Sequence, residues 1–421
     1  MSIEYNKGKL FCGRLNIETI TRDIGTPLYL YDYQQIVDNL QSYINAFKEI
    51  DPLICCAYKA NSNLSICKLL TLLGCGADVV SGGEIFRALK VGVLPEQIIF
   101  NGNAKTKEEL EYAISNDIFM INVDCKDELY LINQIAHNFN KKIRISIRVN
   151  PHINPITHPY IATGLAKSKF GMDINAALDI YKEASMLENI IILGVHAHIG
   201  SQITSVGLLT ENLKKLVNLT NDLAENDIKI KYINVGGGLG IKYHKEEIPQ
   251  VEEIAKTFIP IIKKAGVKLI LEPGRSIIGN AGIIVTKVLH TKETSKKKFI
   301  VVDAAMNDLV RPAIYGSYHR VIPLSYKGED IEEVDIVGGI CESGDFIAKK
   351  RNMPRLFKGD YLAVLDTGAY GFSMSSNYNS RRRLPEILVK DEEYYIIRHR
   401  ENYEDLIAKE EILDDEVLQS L

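Results

Sequence analysis

The sequence predicts an α/β protein, a (β/α)8 TIM-type barrel joined to a second, mainly β domain. Three observations lead there. Between Pro52 and Gly274, short β-branched apolar runs alternate with longer segments of helical periodicity, as parallel β/α units do. Eight such runs within roughly 220 residues suit a closed barrel, with an open doubly wound sheet as the competing arrangement. After Arg275 the texture changes to short strands separated by turns, with few long helical patterns.

The eight predicted barrel strands are Ile54 to Tyr58, Ala77 to Val80, Ile98 to Phe100, Phe119 to Val123, Ile143 to Val149, Ile191 to Ile199, Tyr232 to Val235 and Leu269 to Leu271. Helical spacing falls between them at 63–74, 83–91, 106–116, 126–138, 175–187, 204–225 and 251–264. Thr106 followed by Glu109 reads as a capping box. Beyond the barrel, strands are predicted at 283–289, 299–303, 334–337, 362–365, 386–389 and 394–397, and the early run Pro27 to Tyr31 either joins that domain or leads into the barrel. No Ser/Gly-rich linker separates the parts, so a packed interface is expected. The division adopted is 33–278 for the barrel, with 1–32 and 279–421 as the β domain.

Composition limits the partners. The 421 residues carry 50 Lys plus Arg against 54 Asp plus Glu, a net charge of −4 that offers no footprint for nucleic acid or for a membrane surface. No apolar run reaches the ~20 residues of a membrane helix, and the first ten residues lack the apolar core of a signal peptide. Seven cysteines, an odd number without C-x-x-C spacing, suit a reducing cytoplasm. The expected partner is a small molecule.

Barrels carry their chemistry where strands end, at the C-terminal face. The first predicted strand runs into Lys59, which either closes a turn as a surface charge or presents a reactive amine. The second bears Asp78, a local capping carboxylate or a site acid. The sixth ends in HAHIGSQ, placing His196 and His198 on one face, with Gly200 and Ser201 behind as possible anion donors. A metal pair is one reading of the histidines, but the neighbouring sequence supplies no third ligand at suitable spacing. The seventh strand leads into Gly236 to Gly240, whose sixth position is Ile241, so the run fails the dinucleotide fingerprint; it is a flexible turn or a phosphate cradle. The eighth ends in Glu272, Pro273, Gly274 and Arg275, where barrels commonly bind phosphate. An amine, a flat imidazole, a glycine cradle and a carboxylate together match the needs of pyridoxal 5'-phosphate.

These motifs resemble the barrel-type pyridoxal-phosphate decarboxylases, the group with the two-domain architecture of alanine racemase, and within it the diaminopimelate decarboxylase family. The resemblance spans nearly the whole chain: GTPLYLYD (25–32), AYKAN (57–61), GADVVSGGE (76–84), THPYIATG (157–164), KFG (169–171), HAHIGSQ (196–202), GGGLG, EPGRS, MNDLVRPAIYGSYH (306–319), CESGD (341–345) and DTGAYGFSMSSNYN (366–379). Ile314 and Ala197 are small departures that leave reactive positions intact. The resemblance implies that Lys59 forms the Schiff base with the cofactor, His198 stacks on its ring and Glu272 faces the pyridine nitrogen. Ser201, Gly236, Gly237, Gly238 and the turn of Pro273, Gly274 and Arg275 would surround the phosphate, with Asp78 and Tyr370 beside the cofactor. It further implies Cys341 as proton donor, Arg275, Arg311, Tyr315, Glu342 and Tyr370 around the substrate, and a head-to-tail homodimer in which CESGD reaches the other subunit's site.

The implied reaction is decarboxylation of meso-2,6-diaminopimelate to L-lysine and CO2, the last step of lysine biosynthesis. A carboxylate at Glu272 raises the pKa of a facing pyridine nitrogen. Alanine racemase, by resemblance, has arginine there, so Glu272 favours decarboxylation. Arg275 and Arg311 suit a second carboxylate, and Glu342 a second ammonium. Ornithine or lysine would leave those guanidiniums unpaired. The competing readings are a related ornithine-, lysine- or arginine-type decarboxylase retuned by loop residues around 150–170, a non-catalytic regulatory homologue, and a metal-dependent hydrolase using His196, His198 and Asp78.

Overall fold

The structure, a computed structural model, describes residues 3–154, 163–164, 168–326, 328 and 330–421. Eight parallel strands form the barrel: β1 (Leu53–Ala57), β2 (Gly76–Val79), β3 (Ile98–Phe100), β4 (Met120–Val123), β5 (Ile143–Asn150), β6 (Ile190–His196), β7 (Tyr232–Asn234) and β8 (Lys268–Leu271). Each pairs with the next, and β8 pairs back to β1 through Ile270–Leu53 and Leu271–Ile54, which closes the sheet. The open-sheet alternative is thereby excluded. Every strand lies within a few residues of its predicted run.

The helices start where short polar side chains satisfy orphan amides. Asn63 caps Leu64–Leu72, Ser81 caps Gly82–Lys90 and Ser205 caps Val206–Ala224. Thr106 and Glu109 form the anticipated capping box on Lys107–Ser115, and Glu109 Oε1 also accepts the Gly82 amide of the preceding unit at 2.8 Å.

Two layers fill the barrel. Near the N-terminal ends of the strands Cys55, Ile99, Met120, Leu193 and Ile270 form an apolar floor, flanked by Leu53, Phe119 and Tyr232. Because alternate residues share a face, the positions two further on from Ile99, Met120, Tyr232 and Ile270 also point inward. They are Asn101, Asn122, Asn234 and Glu272, all buried. A dry floor beneath a polar layer is what a barrel-mouth site requires.

The second domain is built on the long strand Gly282–Glu293. Leu28–Asp32 pairs antiparallel with it and parallel with Glu386–Lys390, so the early run Pro27 to Tyr31 is a strand of this second sheet. On the other side lie Lys298–Val302, Ile331–Val337 and Ala348–Pro354, while Tyr361–Val364 also pairs with the long strand and carries Val321–Pro323. The sequence reading missed Ala348–Pro354, whose polar AKKRNMP has no apolar alternation, and the three-residue Val321–Pro323. It also missed the hairpin sheet of Ile3–Asn6, Lys9–Cys12 and Leu15–Asn16 that packs near the N-terminus. The two domains share buried hydrogen bonds: Asn61 Nδ2 donates to Gly368 O at 3.2 Å and Asn63 Nδ2 to Glu386 Oε2 at 2.8 Å.

Candidate active site

Lys59, two residues beyond β1, lines a cavity of about 470 Å³ at the barrel mouth. Its ammonium ion-pairs with Asp78 Oδ2 on β2. Burial alone would lower the amine's pKa, but Asp78, then Tyr370 and Glu272, hold it above the ordinary lysine value. Asn101 Nδ2 donates to Asp78 Oδ1 at 2.7 Å and to Glu272 Oε1 at 2.8 Å, bridging two anions that would otherwise repel. Asn122 Nδ2 donates to Asn101 Oδ1 at 2.7 Å, and Asn234 Nδ2 donates to Glu272 Oε1 at 2.7 Å. Burial would push Glu272 up, yet His196, Lys59 and Asn234 outweigh it and keep the carboxylate well below its usual range. Glu272 is therefore a fixed anion. The sequence reading missed the three asparagines; polar residues at inward positions of β3, β4 and β7 were the available signal.

His196 and His198 both line the cavity. His196 Nε2 lies 3.6 Å from Glu272 Oε2, an electrostatic contact too long for a hydrogen bond. His198 Nδ1 accepts the Gly237 amide at 3.3 Å, leaving the ring proton on Nε2. Burial, with Arg148 and Lys59 adding to it, pushes His198 down to about 3, so the ring is neutral. A Cβ at Gly236, whose φ is +68°, would sit 2.7 Å from His198 Nδ1, and one at Gly237 would sit 2.1 Å from Glu272 O. The glycines are thus required by the chain's own close packing between the ends of β6 and β8.

Farther round the mouth stand two buried guanidiniums. Arg275, in the short helix Arg275–Ile278 after β8, donates from Nη2 to Ser201 Oγ at 3.1 Å and from Nη1 to the Tyr243 hydroxyl at 2.6 Å. Arg311, in Arg311–Tyr315 of the second domain, reaches the same hydroxyl at 2.9 Å, with Ser317 Oγ at 3.3 Å. Among the described residues neither guanidinium pairs with a carboxylate. Tyr315 and Tyr370 complete this wall, and Arg275 lies over the Tyr370 ring at 4.9 Å. Arg148 and Phe170, also on the cavity wall, were not foreseen; the guanidinium lies over that ring at 4.6 Å.

Tyr370 sits at φ +57°, held by its amide's 2.8 Å bond to Ala60 O beside Lys59. Its loop begins at Asp366, buried, at φ +61°, with Oδ1 lacking a hydrogen-bond partner among the described residues. Burial raises Asp366 to about 7, with Arg320 pulling down and Glu246 up. A carboxyl whose folded pKa exceeds its unfolded value contributes stability that is complete below the unfolded pKa, ~3.9, and lost as pH rises through the folded one. Asp366→Asn, which tolerates the left-handed backbone, is therefore expected to stabilise the fold at pH 8 by on the order of 2 kcal/mol and not at pH 4. Denaturant midpoints at the two pH values check this; an equal shift at both would contradict it.

Cys341 and Glu342 lie apart from this cavity. They are exposed, on a turn pinned by Asp345, which accepts the Ile340 amide at 2.7 Å and the Met306 amide at 2.8 Å. The Cys341 amide donates to Asn379 Oδ1 at 2.8 Å. Neither side chain lines the cavity of its own barrel. Most of the THPYIATG motif, and part of the 150–170 loop invoked for specificity, lie outside the described residues.

A family model for the pyridoxal-dependent decarboxylases, pyridoxal binding domain, matches residues 33–279. The diaminopimelate decarboxylase of Aquifex aeolicus is 48% identical over 406 residues, covering 96% of each chain. The chain belongs to the diaminopimelate decarboxylase family. The crystal structure of the family member from Methanocaldococcus jannaschii, in co-complex with L-lysine, superposes with a TM-score of 0.93 at 42% identity, covering 98% of each chain. That from Helicobacter pylori, complexed with L-lysine, gives 0.90 at 40% identity, over 93% of this chain and 98% of the other. Diaminopimelate decarboxylases take pyridoxal phosphate as cofactor, and the groups in this cavity suit it: an amine, a neutral imidazole bonded to the Gly237 amide, an anion at Glu272, and a hydroxyl at Ser201. No helix among the described residues is long and apolar enough to cross a membrane.

Proposed function

We propose that this chain converts meso-2,6-diaminopimelate to L-lysine and CO2 as the last step of lysine biosynthesis. One observation carries the reading: a single cavity holds Lys59 and two buried guanidiniums that no carboxylate neutralises among the described residues. A buried charge without a partner is costly. An amino acid with a second carboxylate removes that cost, whereas ornithine or lysine would not.

When bound, pyridoxal phosphate supplies the sink for the electron pair left as CO2 departs. Lys59 carries the cofactor and Asp78 orients its amine. Glu272, anionic and fixed by Asn101 and Asn234, would keep a proton on the pyridine nitrogen. His198 would offer the ring a neutral plane to pack against. Ser201 and the backbone of Gly236, Gly237 and Gly238 and of the turn Pro273, Gly274 and Arg275 would hold the phosphate, leaving the Arg275 guanidinium to the substrate. Arg275, Arg311, Tyr315 and Tyr370 orient the substrate and exclude water.

The proton returned to the substrate carbon and the anion for the distal ammonium come, in this reading, from Cys341 and Glu342 of a second copy in a head-to-tail homodimer. Their exposure, on a turn bonded through Asp345 and outside the lining of their own cavity, supports this. The residues 33–278 act as the cofactor-binding unit, with 1–32 and 279–421 supplying substrate and dimer contacts, in the cytoplasm. The test is direct: purified protein supplied with pyridoxal phosphate is expected to release CO2 and L-lysine in equal amounts from meso-diaminopimelate, and absence of that conversion overturns the assignment.

A further inference from the structure

The two cavity guanidiniums come from different domains. Arg275 follows β8 of the barrel, and Arg311 belongs to the helix Arg311–Tyr315 of the second domain. The Tyr243 hydroxyl accepts from both, at 2.6 and 2.9 Å, although Tyr243 lines no part of the cavity. It stands behind the arginines, and no motif in the sequence singles it out.

Tyr243 is itself fixed. Its amide and that of His244 both donate to Glu246 Oε2, at 3.1 and 2.7 Å. Its ring meets His319 edge-on at 5.2 Å, while the neighbouring His244 stacks on Tyr318 at 4.1 Å. Residues 243–246 of the barrel therefore interlock with 318–319 of the second domain. His319 Nδ1 is paired with Leu365 O at 2.9 Å, which makes that nitrogen the donor and leaves Nε2 to accept from Arg311 Nη1 at 3.0 Å.

We propose that Tyr243 is the positioning residue that sets the spacing of Arg275 and Arg311 for the distal carboxylate of the substrate, with His319 as a second, neutral brace on Arg311. The inference rests on the function proposed above. Both braces are uncharged acceptors, so they orient the guanidiniums without neutralising them, and the full double charge is left for the ligand. Burial, with Arg311 adding to it, holds His319 down at about 3, so its neutrality persists at any working pH. A carboxylate in either place would orient the arginines equally well and cancel the charge that recognises the substrate.

The test uses the holoenzyme with Tyr243→Phe, which keeps the ring packing and removes the hydroxyl. Hydrogen bonds to charged groups are strong enough that KM for meso-diaminopimelate should rise about tenfold to a hundredfold, with kcat within about threefold of wild type. The visible absorbance of the bound cofactor should not shift. Pimelate, the same dicarboxylate without its amines, serves as a probe independent of turnover: calorimetry should show it bound more weakly by Tyr243→Phe by a similar factor. His319→Leu should raise KM while His319→Gln, which retains an acceptor, stays near wild type. Unchanged pimelate affinity and KM in Tyr243→Phe, or equal effects of the two His319 variants, would overturn the inference. A wild-type enzyme that does not turn over diaminopimelate while Tyr243→Phe still loses pimelate affinity would overturn only the substrate assignment.

Discussion

Lys59→Ala is expected to lose the visible absorbance of covalently held pyridoxal phosphate and to lower kcat/KM by at least about a thousandfold, within the range that positioned proton-transfer groups alone supply. The geometry explains why no neighbour substitutes for it. Lys59 reaches the cavity from the end of β1, and its ammonium is paired with Asp78. Lys105, the one buried lysine among the described residues, is committed to Gly102 O, Asn122 O and Glu128 Oε1, each at 2.7 Å, and lines no part of that cavity. Absorbance and CO2 release measured on the same preparation check the prediction. A variant retaining both would remove Lys59 from its role.

Cys341→Ala is expected to keep the absorbance but lower kcat by about a hundredfold or more, the loss that follows when one proton donor is removed. The stronger consequence concerns the assembly. If each site combines Lys59 of one subunit with Cys341 of the other, equal amounts of Lys59→Ala and Cys341→Ala chains, allowed to exchange, give half mixed dimers with one intact site each, and about a quarter of wild-type activity returns. Each variant alone stays inactive. Failure of the mixture to recover activity, with subunit exchange verified, would place both residues in separate or self-contained sites.

Lys59, Asp78, His198, Glu272 and Arg275 were legible because barrel strands announce themselves as β-branched runs and their chemistry stands where each run stops. The floor and polar layer were less so. Asn101, Asn122 and Asn234 follow Ile99, Met120 and Tyr232 at the strand period, yet each looks like an ordinary break in an apolar run until the strands close and bring Asn101 to Glu272. The second sheet was harder. Leu28–Asp32 lies between Gly282–Glu293 and Glu386–Lys390, a neighbourhood created by long-range pairing with no local mark. Tyr243 and His319 meet for the same reason, through the docking of two domains rather than through any motif.

Two guanidiniums at the barrel mouth, which no carboxylate among the described residues neutralises, would select a substrate with a second carboxylate. The most direct measurement is kcat/KM on one holoenzyme preparation for meso-diaminopimelate, ornithine, lysine and arginine. Burying an unpaired charged group costs enough that diaminopimelate should lead by about a thousandfold or more. Comparable or better turnover of ornithine or arginine would contradict the account.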